Sequence, residues 1–310
     1  MSKLQAPDLK GSIAQSYVPL AHYTTWGVGG MAETFFTPRD QDELSAVVRW
    51  TGENAEAFFV LGGGSNVLIS DGVIKTPVIL TKGMSEISVS VSGDEIFLDC
   101  LAGTQLKNVL SLSAQNGWSG LECVAGIPGT IGGAIACNAG TLSGYVGQAV
   151  FRIATIEVDG SVMEWNGREI DWGYRRCFIF DDNRRIVCKV TFSLRVSGKK
   201  PVAEAIKSAM DGRKSQPVSS RTAGCVFKNP PNDSAGRLLE ASGCKGMIVG
   251  GARVSEKHAN FIENYVNCTA LDILSLAGSC RRRVRDTFGI TLDFEIKTLG
   301  ISEEVADAQD

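Results

Sequence analysis

Residues 58–71, FFVLGGGSNVLISD, decide how this chain folds. An apolar, strand-like run meets three successive glycines, then Ser65 and Asn66, then a second apolar run through Val67, Leu68 and Ile69. Glycine has no Cβ, so Gly62, Gly63 and Gly64 let backbone N–H groups turn toward a close ligand, and such a loop suits a pyrophosphate. The dinucleotide fingerprint G-x-G-x-x-G opens into a helix, whereas this loop leads into another strand. Strand, glycine loop, strand points to a flavin-type fold of a different kind. The alternative is a tight hairpin turn with no ligand.

A second stretch, GLECVAGIPGTIGGAIACNAG at 120–140, shifts the balance. Gly126, Gly129, Gly132 and Gly133 alternate there with Ala125, Ala134, Ala136 and Ala139. So dense a run of small residues fits a backbone pressed against a long ligand. Together the two loops could clamp the two ends of one dinucleotide.

These two motifs resemble the UDP-N-acetylenolpyruvoylglucosamine reductases, flavoenzymes of peptidoglycan precursor synthesis. YRRC at 174–177, AGCVFKNP at 223–230, SGCKGMIVGGARVSEKHANFIEN at 242–264 and FGITLDFEIKTLG at 288–300 extend the resemblance over residues 17–300. It implies an α+β architecture: an FAD-binding fold of the vanillyl-alcohol-oxidase type in two α+β subdomains, plus a C-terminal α+β substrate-binding domain. The expected boundaries are 1–80 for the first subdomain, with a returning strand in 289–300, then 81–200 for the second and 201–288 for the substrate domain. The interval from Arg175 to Cys225 matches the short form of the family, which lacks an inserted loop bearing a substrate-clamping tyrosine.

Composition agrees with a soluble globular protein: 310 residues, 44% hydrophobic and 21% charged. That length exceeds one ordinary core. No apolar run approaches the ~20 residues that span a bilayer, and the start, MSKLQAPDLKG, has no apolar signal core. A cytoplasmic protein is expected. A net charge of −3 gives no general attraction to nucleic acid or to an anionic membrane. Nine cysteines and two histidines contain no C-x-x-C pair and no zinc-like spacing, so no metal site is expected. Apart from Cys225, the thiols read as small buried hydrophobes. Oligomeric state is not readable.

The expected elements follow from pattern. Residues 1–16 read as a loose tail and 301–310 as a disordered acidic one. Asp40 caps a helix, with Glu43 placed as in a capping box. A second helix spans 107–116. Asp159-Gly160 turns a hairpin between 153–158 and 161–165, and 185–194 alternates as a strand. Helices follow at 202–212, after a break at 197–201, and at 271–288, with Gly289 as the stop. The arginines at 281–283 and 285 read as a solvated helix end, and 290–296 as a last strand.

The resemblance also implies the chemistry. FAD, held non-covalently and reduced by NADPH, passes hydride to the enolpyruvyl group of a UDP-sugar substrate. The cofactor-binding residues it implies are Gly62, Gly63, Gly64, Ser65, Asn66, Gly126, Ile127, Pro128, Gly129, Thr130, Gly132, Gly133 and Asn138. Arg175 matches the arginine that polarises the substrate carboxylate, a task suited to a guanidinium fork. Cys225 stands at the proton-donor position, where serine is commonest; a thiol, with a reference pKa of ~8.5, releases a proton more readily than an aliphatic hydroxyl. Glu295 matches the third catalytic residue, and Asp293 competes with it by strand alternation. Asn229, Lys228, Lys257 and His258 are the substrate-binding candidates, with Arg213, Lys214 and Gln216 in the loop before them. The competing function is another FAD-dependent oxidase or dehydrogenase of the same fold, many of which bind flavin covalently; Cys123 and Cys137 flank the second loop.

Overall fold

A computed structural model describes residues 13–55, 57–141, 143–180, 185–217 and 220–301. The chain forms two compact units. Unit 1 comprises 1–16, 34–63 and 76–213; unit 2 comprises 17–33, 64–75 and 214–310. Residues 17–33 and 64–75, expected within the first subdomain, therefore lie in unit 2. The expected tail 301–310 lies outside the described residues after Ile301, as do 1–12.

Unit 1 holds two sheets. In the first, Val78–Leu80 runs parallel between Phe59–Leu61 and the Phe35-Phe36 end of Met31–Phe36. Val78, Ile79 and Leu80 are all buried, as befits a parallel strand covered on both faces. The covering helix is Gln41–Asn54, which buries Leu44, Val47 and Val48. Asp40 caps it as expected, accepting from Glu43 N at 2.9 Å. The reciprocal half of the capping box is absent: Glu43 turns its carboxylate to Arg39, whose N–H lies 2.8 Å away. Ile13, expected in a loose tail, is buried in the same core with Phe36, Ile79, Ile156 and Ile186.

The second sheet of unit 1 is antiparallel. Its order is Val162–Asn166, Val150–Glu157, Arg185–Val196, Glu95–Leu101 and Ile87–Ser92, with Trp118–Ser119 beside the end of the long strand. The Asp159-Gly160 turn stands where expected, with Gly160 at φ 80°. The helices Leu106–Asn116, Ile131–Ala136 and Lys199–Asp211 belong to this layer. The last begins three residues earlier than expected: Pro201 sits inside its first turn, where its missing N–H costs no hydrogen bond.

Unit 2 is built around the long helix Ala270–Phe288, which buries Ile273, Leu274, Leu276, Ala277, Cys280 and Val284. Trp26 fills its core and donates its indole N–H to Ile262 O at 2.7 Å. Beside it lie the helix Ala235–Ala241 and the antiparallel strands Ile248–Val249, Ala252–Val254 and Ile262–Asn264. The last strand is Lys297–Leu299, not 290–296. It pairs in parallel with Val67–Ile69, so partner availability, not local pattern, fixes its position. The Thr269 hydroxyl caps the long helix through Asp272 N at 3.1 Å. Asp71 adds a second cap, accepting from Ala270 N at 2.9 Å and Leu271 N at 3.2 Å.

Such a carboxylate satisfies two orphan donors and opposes the positive helix terminus. Asp71→Ala should lower stability by about 1–2 kcal/mol, read from the urea midpoint, and Asp71→Asn by less.

Candidate active site

The two glycine loops meet inside unit 1. A Cβ on Gly62 would lie 2.5 Å from Thr130 Oγ1, and one on Gly63 would lie 2.8 Å from Gly129 Cα. Gly132 is less crowded but still tight: its Cβ would stand 3.0 Å from that of Ala102, and its N–H donates to Ala102 O at 2.8 Å. Part of the small-residue density attributed to a ligand is thus required by the protein's own close packing. Gly126 and Gly129 need glycine for another reason, with φ at 74° and 125°. Thr130 is buried and caps Ile131–Ala136 through Gly133 N at 3.4 Å. Along this loop Gly126, Pro128 and Gly133 are exposed, with Ile127 half-buried. The result is a pair of loops packed so closely that neither Gly62 nor Gly63 has room for a side chain, with Gly126, Pro128 and Gly133 left on the exposed face.

The division between units falls between Gly63 and Gly64. Within unit 2, Gly64 has φ 63°, and a Cβ there would stand 1.8 Å from Tyr23 O. Ser65 is half-buried. Asn66 braces the chain: its side-chain amide donates to Glu295 O at 3.3 Å, and its carbonyl accepts from Lys297 N at 3.0 Å.

Arg175 lies in unit 1, on a two-residue turn between Trp172–Gly173 and Arg176–Cys177. Its φ is 55°. For a residue with a Cβ this left-handed conformation costs on the order of 1–2 kcal/mol, which the surroundings must offset. Asn138 supplies part of that support. Buried and itself at φ 40°, it donates to Gly173 O at 2.8 Å and accepts from Gly147 N at 3.3 Å. The Asn138 side chain thus ties the strand before the Arg175 turn to the backbone of Gly147. The half-buried guanidinium lies 5.1 Å from the centroid of the exposed Tyr174 ring.

Cys225 and Glu295 come together in unit 2. Glu295 N donates to Val226 O at 2.8 Å, and Lys228 N donates to Asp293 O at 2.9 Å. The Phe227 and Phe294 rings stack at 5.2 Å within this bridge. Cys225 and Glu295 are half-buried, while Asp293 is exposed. Six other cysteines are fully buried, and Cys123 and Cys137 are half-buried, which departs from the uniform core expected. All nine are free thiols. Burial pushes the Cys100 thiol up to about 12 and those of Cys123, Cys188 and Cys268 up to about 11, so these stay protonated and unreactive. Among the described residues no cluster of His, Cys, Asp and Glu could hold a metal ion.

The substrate candidates are more dispersed. Lys228 is half-buried and Lys257 exposed. The exposed Asn229 accepts from Ala235 N at 3.0 Å through its side-chain oxygen, securing the entry to Ala235–Ala241. Arg213 belongs to unit 1, close over Gly126. Lys214 and Gln216 belong to unit 2, where Gln216 Oε1 is buried without a hydrogen-bond partner among the described residues. His258 is a packed histidine: its ring stands edge-on to Phe261 at 5.0 Å, and its Nδ1 accepts from Asn260 N at 3.2 Å. Gly236 gives it room, since a Cβ there would meet the ring at 2.9 Å.

Sequence reasoning missed Asn260. Its buried amide accepts from Phe227 N at 2.9 Å and donates to Phe227 O at 2.8 Å. The available signal was an asparagine between Ala259 and Phe261, a polar residue in an apolar run that must find partners.

Two family profiles match the chain: an FAD binding domain over residues 32–165 and a UDP-N-acetylenolpyruvoylglucosamine reductase C-terminal domain over 216–299. The UDP-N-acetylenolpyruvoylglucosamine reductase of Moorella thermoacetica is 38% identical over 283 residues, covering 91% of this chain and 92% of the relative. That of Heliobacterium modesticaldum is 36% identical over 298 residues, covering 95% and 93%. The crystal structure of the corresponding reductase from Thermus caldophilus superposes with a TM-score of 0.78 at 33% identity, over 92% of this chain and 98% of that one.

The His258 environment predicts a pH dependence. Burial first, then the Lys245 charge, pushes the imidazole below its ordinary value. The unfolded chain therefore binds the proton more readily. Stability is full above the unfolded pKa of ~6.5 and falls as pH drops below it. His258→Gln should flatten that acid-side fall in urea midpoint relative to the parent protein.

Proposed function

Since the chain belongs to the UDP-N-acetylenolpyruvoylglucosamine reductase family, we propose that Arg175, Cys225 and Glu295 carry its catalytic chemistry. The protein is an oxidoreductase that uses FAD and NADPH to reduce the enolpyruvyl group of UDP-N-acetylglucosamine enolpyruvate, giving UDP-N-acetylmuramate for peptidoglycan synthesis. When bound, FAD carries the hydride from NADPH to the substrate double bond. Residues 62–66 and 126–133 are assigned to hold it, supported by the match of residues 32–165 to an FAD binding domain and by the exposed, side-chain-poor backbone of Gly126, Pro128 and Gly133. Asn138 serves the cofactor region indirectly, through the turn it braces. Unit 1 is assigned to FAD binding, with 81–200 as its second subdomain, and the part of the 201–288 region that lies in unit 2 to the substrate. A cytoplasmic site of action follows from the substrate; no described helix is long and apolar enough to cross a membrane.

The protein must stabilise negative charge that develops beside the substrate carboxylate, and it must deliver one proton. Arg175 answers the first need. A guanidinium keeps its charge throughout the working pH range, and its planar fork matches the geometry of a carboxylate. Cys225 answers the second: its S–H bond breaks as a C–H bond forms at the carbon next to the carboxylate. The thiolate left behind is reprotonated from solvent. Glu295, whose N–H is bonded to the carbonyl of the residue after Cys225, orients the reacting group or a water beside it. Lys228, Asn229, Lys257 and His258 remain assigned to the sugar nucleotide, with His258 acting through packing. The single observation that carries the reading is the bond from Glu295 N to Val226 O, which brings two distant motifs onto adjacent backbone.

Anaerobic half-reactions test the assignment. Cys225→Ala should permit NADPH to bleach the flavin but slow reoxidation by the enolpyruvyl substrate by on the order of 10²-fold or more. Cys225→Ser should retain much of the turnover. Normal reoxidation by the alanine variant would remove Cys225 from the chemistry. Acid precipitation should leave yellow colour in the supernatant; colour in the pellet would favour a covalent oxidase.

A further inference from the structure

We propose that Asn260 is a positioning residue for proton delivery, its amide taking the place of a neighbouring strand along the peptide that follows Cys225. The proposal rests on the assignment of Cys225 and Glu295 made above. From Val226 to Lys228 every backbone donor and acceptor up to the Lys228 N–H is accounted for. Val226 N donates to Asn260 O at 2.9 Å, and Val226 O accepts from Glu295 N. Lys228 N donates to Asp293 O. In an extended chain the groups of Phe227 face the opposite edge, away from the 293–295 segment. There, the Asn260 side chain binds both at once, at 2.9 and 2.8 Å. A carboxamide is suited to this because it offers one acceptor and one donor side by side, as a peptide group does.

The arrangement is rigid for identifiable reasons. Asn260 is 2% exposed, so water cannot replace a lost bond. Its own N–H is held by His258 Nδ1, and its carbonyl by Val226 N. Each polar group of Asn260 thus has a partner, and three of the four bonds end on the two residues after Cys225. The stacked Phe227 and Phe294 rings connect the same peptide to the residue before Glu295. Loss of the Asn260 donor would let Phe227 shift, and Cys225 and Glu295 would lose their mutual register. Misplacements of about 1 Å at a proton donor cost up to about a hundredfold in rate.

The decisive variant is Asn260→Asp in the holoenzyme, with flavin reduction by NADPH and reoxidation by the enolpyruvyl substrate followed separately by anaerobic stopped flow. An ionised Asp keeps the bond to Phe227 N–H but faces Phe227 O with a second acceptor. A protonated Asp restores the donor. Buried carboxyls protonate more readily than free ones, and His258, the titratable side chain bonded to Asn260, is held neutral at alkaline pH. Reduction should stay within about twofold of the parent. Reoxidation should fall by about ten- to a hundredfold at alkaline pH and recover as pH is lowered. Equal slowing of both half-reactions would mark a purely structural role and overturn the proposal, as would parent-like reoxidation at every pH. Cys225→Ala, run alongside, separates the two claims. If it blocks reoxidation while Asn260→Asp does not, Asn260 alone is dismissed; if it reoxidises normally, the Cys225 assignment fails and this inference with it. Should Asn260→Asp not fold, Asn260→Ser, which keeps one uncharged hydrogen-bonding group, is read by the same comparison of half-reactions.

Discussion

The candidate site of unit 2 depends on one short antiparallel contact, in which residues 226–228 run beside 293–295. Two backbone hydrogen bonds and one ring stack define it. Each backbone bond is worth only about 1 kcal/mol net, but leaving its buried groups unmade would cost more than that. Two segments seventy residues apart in sequence (225 and 295) are thereby forced into one register. The contact is extended at its far end, where Asn66 ties Glu295 and Lys297 to the strand that follows the glycine run. The Cys225 thiol and the Glu295 carboxyl can then be held in place without any regular sheet at the site itself.

The glycine loops show why a composition signal can be right about place and incomplete about cause. Gly62, Gly63 and Gly132 are glycine because another piece of the protein already occupies the Cβ position. The same small residues leave few side chains on the exposed face of the loop, where Gly126, Pro128 and Gly133 lie. Close packing within the protein and a surface poor in side chains both call for glycine, so composition does not divide the glycines between packing and a ligand.

Elements specified by local chemistry were legible. The Asp40 cap, the Asp159-Gly160 turn, the alternating strand through 185–194 and the Gly289 stop each depend on residues within a few positions of one another. What was not legible depends on distant partners. The strand at Lys297–Leu299 exists because Val67–Ile69 offers an edge, and the more strand-like residues before it are held as an isolated bridge. Asp71 reads as the end of a loop motif, yet it caps a helix that begins at Ala270. Asn138 and Asn260 read as ligand-facing or as nothing in particular, because an asparagine's use is set by which carbonyls surround it. The division of the chain falls inside the glycine run itself, between Gly63 and Gly64, at a point where composition does not change.

Asn138 and Asn260 also share a physical role. Each is buried, and each binds backbone groups next to a residue assigned to chemistry: Gly173 before the Arg175 turn, Phe227 after Cys225. Neither arginine nor cysteine at these positions is placed by its own secondary structure. Arg175 sits in a conformation its side chain disfavours, and Cys225 follows Gly224 at φ 80°, outside any helix or strand. A loop that must hold a reactive group needs its amides and carbonyls satisfied from outside, and a buried carboxamide supplies one donor and one acceptor from a single side chain. Replacing either asparagine with an apolar residue of similar size would leave those backbone groups buried and unbonded. The reactive residues would keep their identity and lose their geometry.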